Sequence, residues 1–145
     1  MKIWLDVRKS LLMATGLVAI AAFVADARPR QGRGAGTPIY DPKTETTISG
    51  VIQEVKEVPG PGRGTGTHLI VKAGGDIHEV HVGPTWYLAR QKYAFAKGDS
   101  LEVTGSNVKY HGADAIVARQ IKKDGHTWTL RDEQGVPAWS RGKNR

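Results

Sequence analysis

From Thr46 onward the apolar residues fall into short runs of Val, Ile and Leu separated by glycine-containing turns, a rhythm that predicts β-strands rather than helices. The first strand is expected from Thr46 to Val58. Its apolar positions Ile48, Val51, Ile52 and Val55 do not keep one period of two, and Gly50 stands where the phase slips, so a bulge or sharp bend is expected there. A loop from Pro59 to Thr67 follows, carrying four glycines and two prolines. The second strand, Thr67 to Ala73, turns Leu69 and Val71 to one face. Gly74-Gly75-Asp76 reads as a tight hairpin turn, and the third strand, Ile77 to Val82, places Val80 and Val82 on one face.

One short helix interrupts the strands. Pro84 suits a first helical position after Gly83, Trp86, Tyr87 and Leu88 supply apolar bulk, and Arg90, Gln91 and Lys92 are good helix formers. The fourth strand is expected from Leu101 to Val108, with Leu101 and Val103 inward and Gly105 breaking the phase. The fifth runs from Ala115 to Lys122, and Asp124-Gly125 turns the chain into a sixth, His126 to Leu130. Three strands, a helix and further strands make an all-β, OB-fold-like Greek-key barrel of five to six strands with one short helix between strands three and four. Trp86, Tyr87, Tyr93 and Phe95 read as a plug for the barrel bottom. Trp139 lies beyond the last strand, and because an indole buries most of its surface where it can, Gly135 to Trp139 is expected to fold back over one barrel opening.

Ahead of the barrel, Lys2, Arg8 and Lys9 precede an uncharged apolar run from Ser10 to Ala25, and Ala25-Asp26-Ala27 offers small residues for cleavage. This predicts a signal peptide over residues 1–27 and a secreted product, periplasmic in a Gram-negative cell. The run is shorter than the roughly 20 apolar residues of a membrane span. Residues 28–45 form a basic Gly/Pro-rich lead expected to be flexible, 46–139 the barrel domain, and 140–145 a basic tail expected to be disordered. The chain has no cysteine, so disulfides, thiolate catalysis and cysteine metal ligation are excluded.

The formal net charge of +7 suggests a polyanion partner until its position is examined. Between Tyr40 and Ala138 there are 12 basic and 12 acidic residues, so the domain is neutral. Past the leader, which adds a net single positive charge, the excess lies in Arg28, Arg30 and Arg33 ahead of the domain and in Arg141, Lys143 and Arg145 behind it. Such tails favour loose contact with anionic surfaces, membranes included, over sequence readout.

Catalytic groupings find little support in the pattern. Gly60-Pro61-Gly62-Arg63-Gly64 resembles a phosphate loop, but no Gly-Lys-Ser/Thr follows and the next element is a strand. No serine sits in a nucleophile elbow, and no paired carboxylates or His-Glu zinc motif occur. An enzyme is not expected, and neither is a cofactor. For binding, Tyr110 between Lys109 and His111 lies in the loop after strand four, and Arg63 lies in the loop after strand one. Those two loops flank the binding face of OB barrels, so Arg63, Lys109, Tyr110 and His111 are the expected ligand residues. A small or oligomeric anionic ligand and a monomeric state are expected.

Two alternatives follow from other residues. Single-stranded DNA or RNA could stack on such a face, though one tyrosine on a neutral body predicts weak, salt-sensitive binding. Metal or cofactor handling is the other. His78 and His81 point to opposite faces of a strand and cannot share an ion, but Glu79 shares a face with His81, and His68 lies on the neighbouring hairpin strand. His68, Glu79 and His81 are thus the possible metal ligands, with His111 as a further one.

With its leader, its strand order from Thr46 to Arg131, Gly50-Val51-Ile52 and the segment Gly98-Asp99-Ser100-Leu101-Glu102-Val103-Thr104-Gly105, the chain resembles the bacterial OB-fold family of periplasmic proteins. The resemblance implies non-enzymatic binding in the cell envelope and carries over no functional residue.

Overall fold

A computed structural model describes residues 38–60 and 64–140. The expected leader, most of the basic lead, Arg63 and the tail from 141 onward lie outside the described residues. Among the described residues six strands form, β1 (Glu45–Pro59), β2 (Thr65–Ala73), β3 (Asp76–Pro84), β4 (Ser100–Tyr110), β5 (Ala113–Lys123) and β6 (His126–Thr129). One helix, α1 (Thr85–Gln91), separates β3 from β4. The all-β expectation with its single intervening helix is met. Pro84 caps that helix in an extended conformation, and Thr85 is its first residue, one later than the sequence predicts.

The hydrogen-bonded order is β3-β2-β1-β4-β5-β6, and a parallel pairing of β3 with β5 closes the first five strands into a barrel-like ring. That closing seam is short, joining Glu79, Val80 and His81 to Ala115, Ile116 and Val117. β6 hangs on the outer edge of β5. Closure works because β1 serves two partners. Its first half pairs with β4 from Glu45 to Val51, and its second half pairs with β2 from Val51 to Pro59.

Gly50 sits at this change of partner, but the register irregularity falls two residues later, between Ile52 and Glu54. Gly50 is needed for a different reason than a bulge. A Cβ there would lie 2.3 Å from the Lys72 carbonyl oxygen, so only glycine lets β1 bend over β2. Gly105 repeats the device, with a Cβ position 2.3 Å from the Val117 carbonyl oxygen and a register shift beside it.

Alternation fills the interior. Leu69 and Val71 from β2, Val80 and Val82 from β3, and Ile52, Val103 and Ile121 are essentially without solvent contact. Burying side chains of this kind contributes roughly 1.5–3 kcal/mol each. Tyr87, Tyr93, Phe95 and Trp128 pack on this core, Tyr93 and Trp128 stacking with ring centroids 4.7 Å apart. At the chain's end Trp139 also packs against the core and lies so close over Gly83 that a Cβ there would meet its ring at 2.8 Å.

Candidate functional site

The register of the β2–β3 hairpin brings the chemistry together. An irregularity between Thr67 and His68 sets His68 directly opposite His81, so their side chains share one face. Glu79, two residues before His81, joins them on that face. Leu69, Val80 and Val82 take the opposite face and enter the barrel core, so the two histidines and the glutamate stand on its outer side. The two histidines are nonetheless sheltered, His68 at 9% and His81 at 6% exposure, while Glu79 is half-buried.

The two imidazoles stack, ring centroids 3.8 Å apart and planes 22° from parallel. His68 Nδ1–H donates to Glu79 Oε1 at 2.8 Å, and His81 Nε2–H donates to the same oxygen at 3.2 Å. An ionised carboxylate can only accept, so both tautomers are fixed by it. Burial drives the His81 pKa down to about 4, the neighbouring His68 adding to the effect against the pull of Glu79. Burial raises the Glu79 pKa, but the His68 hydrogen bond and the two imidazoles outweigh it, and the carboxyl is held below its ordinary value. The Glu79 carboxylate therefore lies between two imidazoles, of which buried His81 is neutral at pH 7.

Beside this trio the chain builds a pocket of about 480 Å³ that His68 and His81 line, with Glu79 behind them. Val58, Pro59 and Gly60 at the end of β1 and Gly64 to Thr67 at the start of β2 form one side. Tyr110, at the turn from β4 into β5, forms another and sets its ring edge-on to His81, centroids 4.5 Å apart. Trp86, Arg131 and Trp139 complete the walls. Thr85 Oγ1 binds both Thr65 Oγ1 at 3.0 Å and Thr67 Oγ1 at 3.1 Å, a short chain of hydroxyls along the rim.

Arg131 is the unusual member. It is 4% exposed, donates through Nη1 to the carbonyls of Val82 and Ala118, and lays its guanidinium 4.8 Å from the Trp139 ring centre. Val82 and Ala118 are the residues immediately past the β3–β5 pairing. The guanidinium thus continues the barrel seam where the backbone ladder stops. Burial lowers its pKa to about 10, a measure of what holding the charge there costs.

Of the four expected ligand residues, the structure brings Tyr110 to this pocket. Lys109, its neighbour on β4, pairs with Asp114 at 2.6 Å in a well-exposed contact away from the pocket. His111 is exposed in the β4–β5 turn with φ of 48° and is not among the pocket's lining residues. Arg63 lies outside the described residues. His68, Glu79 and His81, named from strand alternation as possible metal ligands, do converge, with their ligand atoms all within 4.8 Å of one another. Thr67, Arg131 and Trp139 were not anticipated as site residues. Arg131 carries no local signal, because its role depends on where the seam ends.

Fold and site together define a small β-barrel with a ligand-sized pocket on its outer face, walled by aromatic rings and by the two histidines of a His-Glu-His group. Residues 44–128, more than half of the chain, match the MamS/MamX magnetosome protein family, and the chain belongs to that family. The matched span runs from the residue before β1 to the penultimate residue of β6, so it holds the His-Glu-His group and Tyr110 but stops short of Arg131 and Trp139. No curated protein matches the chain.

Proposed function

We propose that this protein is a non-enzymatic binding module of OB-like architecture, and that its ligand enters the pocket between the β1–β2 loop and the β4–β5 turn. The observation that carries this reading is the position of the pocket. OB barrels take ligands on the face of their second and third strands between these same two loops, and here that face holds the cavity, its aromatic walls and its polar focus. A cavity of this size suits a small molecule or one to two units of an oligomer.

The non-catalytic part of the reading is supported by how the polar groups are engaged. The pocket threonines bind Thr85, the imidazoles bind Glu79, and no hydrogen bond joins a hydroxyl to an imidazole among the described residues. A base-activated nucleophile needs such a contact. The family's name supports a place at the magnetosome, and the apolar leader pattern supports export to the envelope.

The test is a ligand screen followed by amide chemical shifts of the full chain, with oligosaccharides, carboxylate and phosphate metabolites and single-stranded DNA as probes. Shifts gathered on Gly66 to His68, His81 to Trp86, Tyr110 and Trp139 are expected. Shifts gathered on Lys109, His111 and the basic termini would overturn the pocket assignment in favour of surface electrostatics.

A further inference from the structure

We infer that His68, Glu79 and His81 form a binding site for one divalent first-row transition-metal ion. The inference deepens the pocket reading above and rests on it, since the ion would form the polar focus of that cavity.

Three observations carry it. The first is spacing. Donors at about 2.0–2.2 Å from a common ion stand about 3–3.5 Å from one another. Glu79 Oε1 is already 2.8 Å from His68 Nδ1 and 3.2 Å from His81 Nε2, and no pair of ligand atoms in the group exceeds 4.8 Å. Completing the set needs side-chain movement of about 1 Å, within the reach of imidazole rotation on fixed strands. For an ion to bind at these nitrogens each imidazole must carry its proton on the other ring nitrogen, Nε2 of His68 and Nδ1 of His81, so that the N–H donation to Glu79 is given up. The ring planes, 22° from parallel, must also tilt toward each other to aim both nitrogens at one point.

The second is donor chemistry. Two imidazoles and one carboxylate suit zinc, ferrous iron, cobalt or copper, whereas calcium and magnesium require an oxygen-dominated shell to which this group contributes one carboxylate alone. The third is placement. The donors come from two hydrogen-bonded strands, so their backbones are fixed relative to one another, and His81 is pressed by the edge of Tyr110. Three protein ligands leave at least one coordination position facing the cavity, where an anionic oxygen of a ligand would complete the sphere. Arg131 does not occupy that position, because its Nη1 is held by the Val82 and Ala118 carbonyls.

The experiment is titration of the untagged, chelator-treated full chain with cobalt(II), read by calorimetry and by visible absorption, with zinc(II) and anaerobic iron(II) as competitors. One ion per chain, bound tighter than about 10 µM and displaced by zinc, is expected. His68→Ala and His81→Ala should each weaken binding at least 10-fold, Glu79→Gln should do so while keeping a hydrogen-bond acceptor, and His126→Ala should change nothing. Should an alanine variant fail to fold, Glu79→Gln and the ring-nitrogen shifts of the unaltered chain decide the question.

Binding weaker than millimolar, or binding that survives in Glu79→Gln with His68 and His81 shifts unmoved, overturns the proposal. If organic probes still shift the pocket amides while no ion binds, the metal site falls and the pocket reading stands. If the ion binds on the three residues while no other probe perturbs the cavity, the metal site stands and the wider pocket reading falls.

Discussion

Replacing Arg131 by methionine sets two effects of opposite sign against each other, and the structure decides which wins. Methionine keeps the length and apolar stem of the side chain but removes both donors. The Val82 and Ala118 carbonyls at the barrel seam then lose a partner in a buried place, at about 1–3 kcal/mol each, and Trp139 loses a cation worth about 1 kcal/mol. Against that loss, the charge no longer has to be buried. Its pKa is depressed from 12.5 to about 10, which corresponds to about 3 kcal/mol of disfavoured charge. The balance favours arginine by about 2 kcal/mol, so Arg131→Met should lower Tm by roughly 8–16 °C in a domain of this size. Hydrogen exchange should locate the loss, with faster amide exchange at Val80 to Gly83 and Val117 to Arg119 while the β1–β4 pairing keeps its protection. A variant that melts at or above the parent temperature would show that desolvation dominates and that Arg131 does not hold the seam.

Other substitutions probe separate parts of the account. Gly50→Ala should destabilise by about 2 kcal/mol or more in a denaturant titration, because its Cβ would stand 2.3 Å from backbone that cannot move aside, whereas Gly64→Ala, with open space around it, should stay within about 0.5 kcal/mol. Trp139→Ala should cost about 2 kcal/mol in the same titration and leave the pocket without one wall, so any pocket ligand should dissociate faster. The fork of Arg119, and then the Tyr40 hydroxyl, hold the Glu45 carboxyl below its ordinary value. Its folded pKa lies below its unfolded one, so the stability it contributes is present above about pH 4.5 and is lost as pH falls through the folded value. Glu45→Gln should flatten that part of the acid unfolding curve and cost under about 1 kcal/mol at neutral pH, since the pair is partly solvated.

Much of the barrel was legible because its signals are local. Alternation at Leu69 and Val71, the turn at Gly74-Gly75, and the Pro84 to Gln91 composition each point to one element, and the elements come in the predicted order. The His-Glu-His group was half legible for the same reason. Strand alternation puts Glu79 and His81 on one face, but only the Thr67/His68 irregularity sets His68 opposite His81, and a register shift leaves no mark in composition. Gly50 was noticed as a break in phase, yet its cause is a close approach to Lys72, a residue 22 positions away that no window around Gly50 contains. Arg131 was invisible as a structural residue. An arginine after a strand reads as solvated unless the end of a parallel seam between β3 and β5 is already known.

The central proposal is that this protein binds through the outer-face pocket lined by His68 and His81, with Glu79 hydrogen-bonded to both. Histidine side-chain nitrogen spectra test it most directly, because the five histidines include internal controls. During the ligand screen and the metal titration of the full chain, the ring nitrogens of His68 and His81 should move together, while those of His78 and His126 stay in place. Movement of His78 or His126 with His68 and His81 unchanged would contradict the account and place the binding surface elsewhere.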